Sequence, residues 1–269
     1  MNSTPLRLKK DQDRRLRFGH CWIYSNEIDT DKTPLKTLDP GQPVDILSHQ
    51  GKWMGSGYAN PHSLICARIV CRDRRYVLSP SLMVHRLNMA LSLRQRLFAL
   101  PFYRLVFGES DGLPGLVIDR YGDYLVIQIT TAGMEQVKRE ILAAVEKVLH
   151  PAGVLFRNDA RIREAEGLKL YQEDALGGWP DTLELEEQGV RFQFPASGGQ
   201  KTGWYFDQAS NRARMSAYVK ERRVLDVCSY VGAWGVQAAV QGASEVYCVD
   251  ASESALDSVA SNALRNGVA

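Results

Sequence analysis

Two short apolar segments near the C-terminus constrain the fold of this chain more than any other feature. Arg223-Val224-Leu225-Asp226-Val227 and Glu245-Val246-Tyr247-Cys248-Val249-Asp250 have strand composition, and each leads into a helical stretch, Ala233 to Gln241 and Ser252 to Asn266. A strand that is apolar along its length calls for cover on both faces, and a helical crossover returns the next strand parallel to it. The order strand, helix, strand, helix is therefore the opening of a doubly wound α/β sheet. Such sheets bind ligands beyond the carboxyl ends of their strands, and both strands here carry an aspartate at that end.

The turn after the first strand runs Cys228-Ser229-Tyr230-Val231-Gly232-Ala233-Trp234-Gly235. Gly232 and Gly235 let backbone approach a ligand and let the helix pack close to the strand. Asp250, 18 residues beyond Gly232, can accept both hydrogen bonds of a ribose diol. The dinucleotide fingerprint holds a pyrophosphate with three glycines, but Cys228 and Tyr230 or their neighbours stand where its first two belong. No phosphate loop ending Gly-Lys-Ser/Thr occurs either. Fewer glycines, with an acidic residue ahead of the turn, suit a ligand that carries a sulfonium and a primary ammonium instead of phosphates. S-adenosyl-L-methionine carries both. Asp226 is expected to hold its ammonium through water or neighbouring backbone and Asp250 its ribose, with Ser229, Tyr230, Gly232 and Ala251 as further contacts.

Just upstream, Ser197-Gly198-Gly199-Gln200-Lys201-Thr202-Gly203-Trp204-Tyr205-Phe206-Asp207-Gln208 crowds glycine, polar and aromatic residues ahead of a helix expected over Tyr205 to Tyr218. One reading is a solvated turn with Asp207 placed to favour the helix dipole. The other is a lid. In it Lys201, Thr202, Gly203, Tyr205, Phe206 and Asp207 contact the cofactor, while Lys201 and Arg212 hold a carboxylate or an RNA phosphate.

The rest of the 269 residues reads as one or two further domains. With 45% hydrophobic and 24% charged residues the chain is a folded protein, not a disordered one. No apolar run approaches the roughly 18–20 residues of a membrane span, and the N-terminus lacks a secretory h-region, so a cytoplasmic protein without membrane contact is expected. Five cysteines, an odd number without a C-x-x-C pair, argue against a disulfide framework and against a metal site. Residues 1–75 carry 13 Lys/Arg against 8 Asp/Glu, residues 76–190 carry 12 against 16, and residues 191–269 carry 8 against 7. The positive excess thus lies at the N-terminal end, where Arg7, Lys9, Lys10, Arg14, Arg15 and Arg17 precede His20, Trp22 and Tyr24. Cations beside aromatic rings suit irregular or single-stranded RNA, although Trp22 and Ile23 also read as barrel core and the arginines as a solvated face. Short strands at Val44–Leu47 and Leu64–Val70, separated by Gly- and Pro-containing turns, point to a small β-barrel. A helix over Pro80 to Phe98, strands at Gly115–Asp119 and Tyr124–Thr130, a helix over Met134 to Leu149 and a strand at Gly153–Arg157 form an α+β unit. A hairpin near Leu183–Phe194 turns at Gln188-Gly189.

The strings Gly199–Gln208 and Val224–Gly235 resemble the S-adenosylmethionine-dependent methyltransferases of large-subunit (23S) ribosomal RNA, in the cytosine-5 group that carries an N-terminal PUA domain. Phe107-Gly108-Glu109-Ser110-Asp111-Gly112-Leu113-Pro114-Gly115-Leu116-Val117-Ile118-Asp119-Arg120-Tyr121 looks like that group's central-domain signature. His20–Ser25 and Gly55–Ser63 look like its PUA domain. The resemblance implies a multidomain chain: a PUA-like RNA-binding β-barrel over residues 1–75, a central α+β domain over 76–190, and a Rossmann-like methyltransferase domain from 191 to 269. Ribosomal RNA is the implied partner, and a homodimer is carried as an expectation. Two departures stand out. Cys228 occupies a position that is usually Phe or another bulky residue, and Ala209 follows Asp207-Gln208 where Arg is usual.

Two strands and two helices fall short of a parallel sheet. The sequence therefore reads as part of a longer protein, with an Asp-Pro-Pro motif and the catalytic cysteine of the resembled group expected beyond Ala269. The implied chemistry is covalent: a thiolate adds to cytosine C6, C5 takes the methyl group, and loss of the C5 proton releases the thiolate. Cys228 in the turn and Cys248 within a strand are poor candidates for that thiolate. The competing readings are a non-catalytic RNA-binding or assembly protein, a dinucleotide dehydrogenase, and a methyltransferase acting on another base such as guanine N7.

Overall fold

The structure, a computed structural model, describes residues 3–76, 78–196 and 202–269. It divides into two compact units. One comprises Met1–Leu97, Arg104–Asp119 and Asp123–Gly177; the other comprises Phe98–Tyr103, Arg120–Gly122 and Gly178–Ala269.

The first unit opens with β1 (Thr4–Arg7), α1 (Arg14–Arg17), β2 (Trp22–Ile23), β3 (Gln42–Leu47), β4 (Trp53–Ala59) and β5 (Ala67–Cys71). These strands form one sheet in the order β1-β3-β4-β5-β2, with β1 parallel to β3 and the remaining pairs antiparallel. Alternation decides which side chains point inward: Leu6 and Leu8, Val44 and Ile46, and Ile69 are buried with Leu16 and Ile23 in a single apolar cluster. Trp22 and Tyr24 do not join it and are only half-buried. The Trp22 Nε1 donates instead to Glu109 Oε1 at 2.6 Å, because an indole N–H sealed in the core would lose its water without gaining an acceptor.

Next come α2 (Pro80–Leu97), β6 (Phe102–Phe107), β7 (Leu116–Tyr121), β8 (Tyr124–Ile129), α3 (Ala132–Gln136), α4 (Lys138–Leu149), β9 (Gly153–Asn158) and β10 (Tyr171–Gly177). Their sheet has the order β10-β9-β8-β7-β6, with β8 parallel to β9 and β9 antiparallel to β10. The single helix expected over Met134 to Leu149 is two helices, since Val137 leaves helical geometry at φ −111° and ψ 24°. β6 escaped the sequence reading because Arg104 interrupts its apolar pattern. Its guanidinium meets the fully buried Asp119 at 2.8 and 2.9 Å.

Residues 1–75 and the sheet that follows share one compact unit. A buried polar junction joins them. The Glu166 carboxylate, 4% exposed, accepts from Asn60 Nδ2 at 2.8 Å, Arg68 Nη1 at 3.0 Å and the Ala132 amide at 3.3 Å. Tyr58 donates to the Pro114 carbonyl at 2.7 Å and sits 3.0 Å from Thr131 Oγ1.

The second unit holds β11 (Thr182–Glu187), β12 (Val190–Pro195), α5 (Ala209–Val219), β13 (Arg223–Val227), α6 (Gly235–Val240), β14 (Glu245–Val249) and α7 (Glu253–Arg265). The β11–β12 hairpin buries Leu183, Leu185, Val190, Phe192 and Phe194 on alternate positions, as a one-faced ribbon must. β13 and β14 pair in parallel, Arg223 opposite Glu245 through Val227 opposite Val249. Their α6 side carries Asp226, Val246 and Cys248 beneath Gly235, while Leu225, Val227, Tyr247 and Val249 on the opposite face are 65%, 61%, 51% and 49% exposed. Among the described residues no helix is long and apolar enough to cross a membrane.

Candidate functional site

The turn between β13 and α6 departs from ordinary backbone at three alternate positions: Cys228, Tyr230 and Gly232 have φ of 61°, 51° and 82°. Left-handed geometry at a non-glycine residue costs on the order of 1 kcal/mol and persists where surrounding bonds enforce it, a pattern typical of ligand clamps. Those bonds are present. The Ser229 amide donates to the Val249 carbonyl at 3.1 Å, and the Gly232 amide returns to the Ser229 carbonyl at 2.9 Å. The fully buried Asn262 of α7 donates to the Val231 carbonyl at 3.0 Å and to that of Gln193 at 3.1 Å.

Asp226 lies at the head of this turn, 9% exposed. Its Oδ2 accepts from the Gly235 amide at 2.9 Å. Burial pushes its carboxyl above the ordinary range, and the charge of Asp250 adds to that, against the opposing pull of the Gly235 amide. Asp250 behaves in the opposite way. The Ser252 amide donates to its Oδ1 at 3.0 Å and the Tyr230 amide to its Oδ2 at 2.8 Å, and these two N–H groups hold its carboxyl below the ordinary range. Ala251 is exposed beside it, and Ser252 caps α7 by accepting from the Ala255 amide. The Ser229 hydroxyl is buried with no hydrogen-bond partner among the described residues. Cys228 is exposed, whereas burial and then the Asp226 charge push the Cys248 thiol up to about 11, which leaves it protonated and unreactive near neutral pH.

Upstream, a strap from Thr202 to Gln208 turns through a short 3₁₀ segment (Phe206–Gln208) into α5, so regular helix begins at Ala209 and not at Tyr205. Lys201 and Ser197–Gln200, expected in the lid, lie outside the described residues. Thr202 and Gly203 are buried, the former accepting from the Tyr121 hydroxyl at 3.2 Å and the latter against the Phe194 ring. Phe206 is half-buried 5.3 Å from the Tyr121 ring, and Asp207 is exposed. The Tyr205 ring meets the Tyr230 ring edge-on at 6.4 Å, so this strap and the turn come together there. Arg212, expected on RNA, is corrected by the geometry. It is 1% exposed, and its guanidinium is spent on Glu187 at 2.6 and 2.8 Å and on the Tyr205 carbonyl at 3.0 Å. Sequence reasoning missed Glu187 and Asn262, and the only signal for the latter was a polar residue within the apolar periodicity of α7.

The N-terminal cations divide in two. Arg15 is paired with Glu27 and Arg17 with Asp13, each at 2.5 Å; Arg7 and Lys9 donate to the His49 and Asn26 carbonyls at 3.3 and 2.9 Å. Lys10 and Arg14 are exposed and have no hydrogen bond or ion pair among the described residues. The Glu109 and Asp111 carboxylates of the central signature are also committed, Glu109 to Trp22 and Asp111 to Arg94 at 2.5 and 2.7 Å and to the Phe107 amide.

Residues 6–72 match the family model of the PUA-like domain. The chain is 36% identical over 265 residues to the ribosomal RNA large subunit methyltransferase I of Klebsiella pneumoniae, an alignment that covers 97% of this chain and 66% of that protein. It is 38% identical over 273 residues to the protein of the same name from Tolumonas auensis, covering 98% of this chain and 67% of the relative. The chain thus spans about two thirds of the length of these relatives. A Streptococcus mutans protein described as a candidate SAM-dependent methyltransferase shares the fold with a TM-score of 0.82 at 20% identity, over 99% of this chain and 68% of its own.

Proposed function

The chain belongs to the family of ribosomal RNA large subunit methyltransferase I, and from that premise we propose that it seats S-adenosyl-L-methionine at the tips of β13 and β14 for transfer of a methyl group to cytosine C5 in large-subunit ribosomal RNA. The observation that carries this reading is the pair of carboxylates on adjacent strand tips, each prepared differently by its own backbone donors.

The residues present fit such a ligand. Among the described residues one backbone amide, that of Gly235, donates to the buried Asp226 carboxylate, and the elevated pKa of that carboxyl marks a site where a neighbouring cation lowers the free energy. Each oxygen of Asp250 already accepts one backbone N–H, which fixes the carboxylate's orientation and leaves a further lone pair on each for a vicinal diol. The unpartnered Ser229 hydroxyl gains a use only when a polar group enters the turn. Bound here, the cofactor supplies a methyl group on an electrophilic sulfonium. The protein's share is orientation and charge: Asp226 for the amino-acid end, Asp250 for the ribose, and Tyr205 with Tyr230 as the aromatic boundary. For RNA, the exposed Lys10 and Arg14 are the N-terminal cations without a partner among the described residues and are placed to neutralise phosphate, and the PUA-like match over residues 6–72 supports that placement.

Mass-spectrometric mapping of ribosomal RNA from a strain lacking the gene tests this. We expect one 5-methylcytidine of the large subunit to disappear and to return on complementation. An unchanged methylation map, or the loss of a different modified base, overturns the assignment.

A further inference from the structure

We propose that Arg212, held by Glu187, is the positioning residue that sets the Tyr205 strap against the cofactor turn, a role that rests on the cofactor reading above. Three pieces of the second unit converge on this one side chain. Glu187 ends β11 and receives both prongs of the guanidinium at 2.6 and 2.8 Å. The strap contributes the Tyr205 carbonyl, 3.0 Å from Nη2, and the Trp204 ring, whose centroid lies 4.9 Å from Cζ. The turn ahead of α6 contributes Trp234, centred 5.9 Å away. Trp204 closes the circuit by donating its Nε1 to Glu187 Oε2 at 3.2 Å.

An ion pair so deeply buried is an expensive way to fill space, because desolvating both charges cancels much of their attraction and an apolar pair of equal volume often packs as well or better. What the guanidinium adds is direction. Its planar fork satisfies acceptors from two separate segments, while its Cζ lies over rings from the strap and from the turn. Fixing the Tyr205 carbonyl fixes the residue whose ring meets Tyr230, and Tyr230 donates its amide to Asp250. Arg212 therefore reaches the ribose carboxylate through two intermediates without touching the ligand. Ordering the strap before the ligand arrives removes an entropy cost from binding.

The test separates packing from positioning in the full chain by titration calorimetry with S-adenosylhomocysteine and by urea denaturation. The R212K variant keeps a charge for Glu187 but loses the fork, and we expect its affinity to fall by about tenfold or more. The R212M/E187M pair replaces both ions by apolar side chains of similar length. Its urea midpoint should equal or exceed that of the wild type, with the affinity still about tenfold down. Wild-type affinity in the R212M/E187M protein, or in R212K, overturns the proposal and reduces Arg212 to a packing residue. A wild-type chain that takes up no ligand fails the cofactor reading itself, and this inference falls with it; that result is distinct from variants that bind unchanged.

Discussion

A methyl group added at Gly235 is the most sharply defined steric perturbation of the site. An ideal Cβ there lies 2.3 Å from Cys248 Sγ, and the next neighbours, Asp226 Oδ2 and Val246 Cγ1, are both at 3.3 Å. Carbon and sulfur cannot approach to 2.3 Å, so α6 and β14 must separate by more than an ångström, and overpacking of this kind costs about 1–3 kcal/mol. The Gly235 amide also donates to Asp226, so the same movement loosens the carboxylate that the cofactor reading requires. The sulfur is nearly the whole obstacle, which makes its removal the natural rescue. C248A alone deletes a half-buried thiol and should cost about 1 kcal/mol. In G235A/C248A the remaining neighbours at 3.3 Å yield by tenths of an ångström, so the double variant should be more stable than the two single costs imply by about 1–2 kcal/mol. Urea denaturation of the four proteins, with hydrogen-exchange protection of the α6 amides, measures that coupling. Additive costs, or a G235A protein as stable as the wild type, would show that the strand and helix are not packed as described.

Further predictions concern charge. Asp226 has a folded pKa raised above its unfolded value, so its ionisation weakens the fold as pH rises through that window and the weakening is complete above it. D226N should therefore match or exceed wild-type thermal stability at neutral pH while affinity for S-adenosylmethionine drops by about tenfold or more; a destabilised variant with normal affinity would contradict both halves. Asp250 has the reverse sign, its contribution being present above the unfolded carboxylate pKa and lost as pH falls through the lower folded value, so D250N should flatten the acid limb of the stability profile. E166A strands Arg68 and Asn60 in a dry junction and should cost about 3–5 kcal/mol in urea denaturation, where a loss below about 1 kcal/mol would mean that water reaches the site. K10E/R14E should weaken RNA binding and flatten the slope of log affinity against log salt by about one for each phosphate no longer neutralised, and an unchanged slope would remove these residues from the RNA interface.

What could be read in advance follows from the range of the interactions. β13 and β14 announce themselves because apolar runs ending in aspartate are local patterns, and the β11–β12 hairpin does so through alternate Leu183, Leu185, Phe192 and Phe194. The places of Asp226 and Asp250 at the strand tips were legible for the same reason. Arg212 was not, since a motif arginine looks alike whether it faces solvent or Glu187, which lies 25 positions away. Glu166 and Asn60 are 106 positions apart, so no periodicity hints that they meet. β6 was hidden by Arg104, whose charge reads as a break until Asp119 is seen opposite. Trp22 carried the opposite ambiguity: it also read as barrel core, while its indole N–H found an acceptor in Glu109.

The central claim is that the β13 and β14 tips are shaped for a sulfonium-bearing adenosine, and a crystal structure of the chain with S-adenosylhomocysteine bound tests it most directly. We expect the ribose hydroxyls within hydrogen-bond distance of the Asp250 carboxylate and the amino-acid end beside Asp226 and Ser229. Density for the ligand elsewhere on the molecule, or none at saturating concentration, would contradict the claim.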